Sequence, residues 1–98
     1  MQTANEMAAE TLVRIEGRFD ALAAAKLQIE IALTRARYVA VDFGSATTFS
    51  DASIAFLADI IRYDPRRRLR VLGLRADQEG RLKLLGIALD EAGEMVRR

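Results

Sequence analysis

Apolar and polar positions alternate from Val13 through Ile15 to Gly17, with Arg14, Glu16 and Arg18 between them. A period of two suits a strand with one buried and one solvated face, so Leu12 to Phe19 is predicted as the first strand. Asp20 is then placed as the N-cap of a long run, Ala21 to Arg37, which lacks Gly and Pro and is rich in Ala, Leu, Lys, Gln and Glu. Tyr38 to Phe43 is short and mostly apolar, the pattern of a central strand covered on both faces, and Gly44 and Ser45 are expected to break it. In Ala52 to Asp64, Ile54, Phe56, Leu57, Ile60 and Ile61 share one broad helical arc that Pro65 ends.

Leu69 to Leu72 predicts another strand, Gln78 to Leu85 a third helix with Gly86 as its C′ residue, and Glu94 to Val96 a short last strand. Residues 1–11 are weakly patterned, with room for an extra edge strand near Met7 to Glu10. The resulting order, β-α-β-α-β-α-β, argues for an α/β domain in which helices pack against a sheet of about four to five strands. No internal repeat interrupts the chain, and 98 residues make one domain.

The first helix carries two apolar faces. Leu22, Ala25, Ile29, Leu33 and Ala36 share one, while Leu27 and Ile31 lie nearly opposite, beside Ala23, Ala24 and Thr34. One face must pack on the sheet. The reading places Leu27 and Ile31 away from it, either covered by the N-terminal segment or exposed as an interface for a partner or a second copy of the chain.

Composition then narrows the chemistry. The chain has no Cys and no His, which removes the usual zinc, iron and copper ligands and both Ser-His and Cys-His nucleophilic pairs. No phosphate-binding glycine loop is present, so neither a cofactor nor catalysis is expected. Fifteen basic against 14 acidic residues leave a net charge of +1, too little to imply a polyanionic partner. Arg66, Arg67, Arg68 and Arg70 cluster, but no aromatic residue is interleaved for base stacking, so the run reads as a solvated loop rather than a nucleic-acid site. Neither a leader pattern nor a run approaching the ~20 apolar residues of a spanning helix appears, and the expectation is a cytoplasmic protein without membrane insertion.

Three motifs, in order, resemble the STAS family of small α/β regulatory domains. Gly17-Arg18-Phe19-Asp20 is similar to the family's Gly-x-Leu-Asp at the end of a strand. Val39 to Phe43, a loop, and Phe49-Ser50-Asp51-Ala52-Ser53 resemble its apolar strand and the Phe-x-Asp-Ser-Ser that opens the second helix. Leu84-Leu85-Gly86-Ile87 is similar to its Leu-x-x-Gly-Leu. Ala52 stands where the family has the first serine of a pair and Ile54 where it usually has glycine, which makes this helix entrance bulkier.

The resemblance implies a mixed sheet and a bacterial signalling role like that of an anti-sigma-factor antagonist. Such a protein is not an enzyme; it regulates transcription by binding a partner kinase or anti-sigma factor. In that branch a serine is phosphorylated by the partner kinase; here it would be Ser53, with Asp20, Ser50, Asp51 and Ala52 completing the partner-facing site. The family also includes accessory subunits of bacterial lipid-transporting ABC systems, where the same surface would dock an ATPase. A structural subunit of a signalling assembly, self-associating through Leu27 and Ile31, is the third reading. Read from the residues alone, Asp20 and Asp51 are helix N-caps.

Overall fold

The structure, a computed structural model, describes residues 10–62 and 68–96. Its elements are β1 (Glu10–Phe19), α1 (Ala21–Leu33), β2 (Tyr38–Phe49), α2 (Asp51–Arg62), β3 (Arg68–Leu72) and α3 (Ala76–Leu84). The strands form a three-stranded sheet in the order β1-β2-β3, with both pairings parallel. Crossovers of one hand between sequential strands put successive helices on one face of the sheet, and α1 packs against α2 there, as α2 does against α3.

The class is α/β, but among the described residues the sheet has three strands, all parallel, instead of the expected mixed sheet of four to five. Glu94 to Val96, expected as the last strand, closes a tight turn instead. Leu89 and Met95 make a single antiparallel bridge, and the Asp90 carboxylate accepts from the amides of Ala92 and Glu94 at 2.9 and 3.0 Å. The turn lies along the outer edge of β3, where the Val71 amide donates to the Gly93 carbonyl at 2.8 Å. A turn that takes its backbone bond from β3 at Val71 satisfies that edge amide without running far enough to build a fourth strand. The edge strand expected near Met7 lies outside the described residues, except for Glu10, which opens β1.

Gly93 makes this docking possible. It has φ +84°, and a Cβ there would stand 2.4 Å from the Val71 oxygen. Gly93→Ala should therefore cost about 2 kcal/mol or more, read as a lowered urea midpoint.

The core forms where alternate strand residues Val13, Val39, Val41, Phe43 and Val71 meet Ala24, Leu27 and Ile31 of α1 and Ile54, Leu57, Ala58 and Ile61 of α2. Leu82 of α3 and Ile87, just past the Gly86 turn, join the same cluster. The opposite face of the sheet carries no helix among the described elements. Ala40 is nonetheless buried there, in the row that sets it between Leu12 and Arg70, and the Arg70 guanidinium spans to Glu10 at 3.0 Å. At Ala40 the central strand is thus buried on the helix-free face as well, while Tyr38 and Asp42 on the same face are half-buried.

Two boundaries differ from the sequence pattern by several residues. Gly44 and Ser45 do not break β2, which runs on to Phe49. Its pairing with β1 slips between Arg14 and Glu16 and again between Gly17 and Arg18, so β2 spends extra residues over the same span. These are bulges, and Gly17 takes φ +72° at the second one. α1 ends at Leu33 rather than Arg37, because Thr34 leaves the helical conformation and its hydroxyl meets that of Thr11 at 2.9 Å. α2 is described to Arg62, so its expected end at Asp64 and Pro65 lies outside the described residues.

The largest correction concerns the rotation of α1. Leu27 and Ile31 face the sheet and are 1% and 4% exposed, whereas Leu22, Ile29 and Leu33 are 65%, 59% and 78% exposed. The physical reason is the company each stripe keeps. Lys26 projects within about 40° of Leu22 around the helix, and turning that stripe inward would draw its charge toward the core. The Leu27 stripe is flanked by Ala23 and Ala24, and Ala24 is small enough to let the helix approach the sheet closely.

Candidate functional site

The site is built where β1 and β2 end side by side. Phe19 pairs with Phe49 in the last row of the ladder, and the Ser50 amide donates to the Phe19 carbonyl at 3.3 Å. That bond sets the starts of α1 and α2 next to each other. Beneath them three aromatic rings lock the strand ends: Phe19 meets Phe43 edge-on at 4.9 Å between centroids, and Phe49 lies 5.5 and 5.4 Å from the two.

Asp20 caps α1 as expected. Its carboxylate accepts from the Ala23 amide at 2.9 Å, and its carbonyl accepts from Ala24. At α2 the cap is Ser50 rather than Asp51: the Ser50 hydroxyl accepts from the Ser53 amide at 3.0 Å, and its carbonyl accepts from Ile54. Asp51 is the first helical residue, where a carboxylate favours the positive end of the helix dipole. It pairs with Arg81 of α3, a partner 30 residues away that nothing in the local sequence pattern announces. The pair ties the third helix to the second at the site. Since the Asp51 side chain is fully exposed and solvent screens the pair, Arg81→Gln should leave the urea midpoint close to the parent's.

Ser50, Asp51 and Ala52 are exposed and Asp20 is half-buried, so the structure brings these four to one surface. It does not bring Ser53 to that surface. Ser53 is completely buried, and its hydroxyl donates to the Ser50 carbonyl at 2.8 Å. Ile54, at the position where the family pattern has glycine, is 2% exposed and belongs to the core, so it anchors the helix start. Leu27 and Ile31, read from the sequence as a second interface, are core residues.

Of the arginine cluster, Arg66 and Arg67 lie outside the described residues. Arg68 donates to the Glu94 carboxylate at 3.0 Å, a bond that raises its guanidinium pKa further, and Arg70 donates to the Ala92 carbonyl at 3.1 Å. Both arginines hold the C-terminal turn against β3.

Among the described residues no group of acidic side chains is arranged to hold a metal ion, and no helix is long and apolar enough to cross a membrane. The site therefore offers two carboxylates, one capping hydroxyl and a helix start, which suit it to hydrogen bonding and charge pairing with a docked surface. No family model matches the chain, and no curated protein matches it.

Proposed function

We propose that this protein is a STAS-type protein-binding regulatory module, similar to an anti-sigma-factor antagonist, that docks a partner kinase or anti-sigma factor at Asp20, Ser50, Asp51 and Ala52. The observation that carries the reading is the Ser50-to-Phe19 hydrogen bond, which sets two capped helix starts side by side over a rigid aromatic base. A surface held this firmly pays little ordering entropy on docking. Its exposed groups are acceptors and carboxylates, so the matching partner surface is rich in donors.

In this reading, charge is what the site responds to. A phosphate on Ser53 would add about −1.5 to −2 charge, but the buried hydroxyl becomes available only when the first turn of α2 opens. Modification of Ser53 is thus coupled to opening of that turn.

Two substitutions separate charge from folding. Asp20→Asn keeps a capping side chain and removes a charge, and Ser50→Asp keeps a cap and adds one. The test is photocrosslinking from position 52 in the native cell, identification of the captured protein, and titration of that purified protein against the parent and both variants. The expected result is a kinase-like or anti-sigma partner whose binding weakens about tenfold or more in each variant, with unchanged thermal stability. Capture of a transporter ATPase, or affinities that ignore both variants, would overturn the proposal.

A further inference from the structure

The outward stripe of α1 is a second surface, running from the first turn of the helix to its last residue. Leu22, Ile29 and Leu33 are more than half exposed, and Ala25 lies along the same line. At 100° per residue the three large side chains fall within a narrow arc, directly opposite Leu27 and Ile31. Lys26 and Glu30 lie together on one flank, and neither is ion-paired among the described residues. Ala21, Gln28 and Ala32 form the other flank.

We infer that this stripe is a self-association surface, on which α1 packs antiparallel against α1 of a second copy of the chain. The sequence of the stripe is what selects that occupant. A two-fold axis crossing the helices midway between Leu27 and Gln28 sets Leu22 against Leu33 of the second copy, and Leu33 against its Leu22. The same axis keeps like flanks together, so Lys26 meets Glu30 of the second copy and Glu30 meets its Lys26. One patch supplies both halves of two apolar contacts and two ion pairs, as an isologous interface requires. In a parallel pair the charged flank would instead face Ala21, Gln28 and Ala32, and neither ion pair would form. The α1 helix has 13 residues, about 20 Å of contact line, so the buried area falls below the ~1,200 Å² of a standard stable interface. Association is accordingly weak and concentration-dependent. The inference does not rest on the docking site, since Asp20 and Ser50 take no part in the pairing.

Sedimentation equilibrium of the full chain, from micromolar to millimolar, tests it. The parent should pass from monomer to dimer over that range. Leu22→Gln with Ile29→Gln should remain monomeric while keeping the parent's thermal stability. Lys26→Glu should weaken the dimer about tenfold or more, and Lys26→Glu combined with Glu30→Lys should restore it, because only an antiparallel pair re-forms both salt bridges. A parent that stays monomeric at millimolar concentration overturns the inference, as does a dimer that survives the Gln pair. Failure of the double charge exchange to restore association overturns the antiparallel arrangement. A large loss of thermal stability in the Gln pair would show that the chain covers the stripe itself, and the inference would fall.

Discussion

Leu27→Glu combined with Ile31→Lys should leave the protein largely unfolded at room temperature. Both side chains sit between α1 and the sheet, at 1% and 4% exposure, inside the cluster that also holds Val13, Val39 and Phe43. Each replacement removes a large apolar side chain, about 2 kcal/mol or more, and adds a charge; the two charges can pair with one another as i,i+4 neighbours, but taking both out of water costs more than their attraction returns. The sum exceeds about 5 kcal/mol, which is the whole stability of many small domains. The control lies on the same helix. Leu22→Glu with Ile29→Lys changes the same residue types on the exposed face and should shift stability by no more than about 1 kcal/mol, because surface substitutions usually stay near 0.5 kcal/mol each. Far-ultraviolet circular dichroism and urea denaturation of the two double variants make the comparison. Equal losses in both would show that the rotation of α1 is wrong.

Ser53→Asp should cost about 3 kcal/mol or more, against about 1 kcal/mol for Ser53→Ala. The serine hydroxyl is completely buried and donates to the Ser50 carbonyl. Alanine loses that bond but leaves the carbonyl paired with the Ile54 amide. Aspartate is larger, cannot donate when ionised, and faces a carbonyl oxygen. Burial raises the pKa of such a carboxyl above its unfolded value, so the unfolded state releases its proton first as pH rises. The penalty is therefore fully developed above the folded-state pKa and eases as pH falls toward the unfolded carboxylate range. Denaturation across that pH range measures it. A Ser53→Asp variant as stable as the parent, with no pH dependence, would show that the first turn of α2 opens at little cost. It would also make Asp at this position a faithful mimic of phosphate. With the loss expected here, Ser53→Asp reports on folding, and Ser50→Asp is the cleaner probe of charge at the docking surface.

Sequence pattern located every described helix and strand to within a few residues, except where backbone pairing overrode it. Gly44 and Ser45 read as a break, yet β2 continues through them, because a bulge in the parallel ladder absorbs residues that local propensity would assign to a loop. Glu94 to Val96 has the composition of a strand but folds into the Asp90 turn. Strand formation depends on a partner offering a long enough edge, and β3 is only five residues long.

The candidate site divides in the same way. Asp20 as a cap was readable from its position before an unbroken helical run, since capping is a local interaction over three residues. That Ser50 rather than Asp51 caps α2 depends on where the Phe19–Phe49 pairing stops, which lies beyond a local reading. The burial of Ser53 and the Arg81 pairing are likewise products of helix packing.

By itself the sequence determined the α/β class, the order of elements from β1 to α3, the absence of thiol and imidazole chemistry, and the existence of two apolar stripes on α1. Those follow from periodicity and composition, which act over a few residues at a time. The tertiary structure alone decided which stripe turns inward, how many strands pair, and which serine of the helix entrance faces solvent. Each is a choice between locally equivalent alternatives, settled by the burial of charge beside Leu22, the short edge of β3, and the packing of Ile54 into the core.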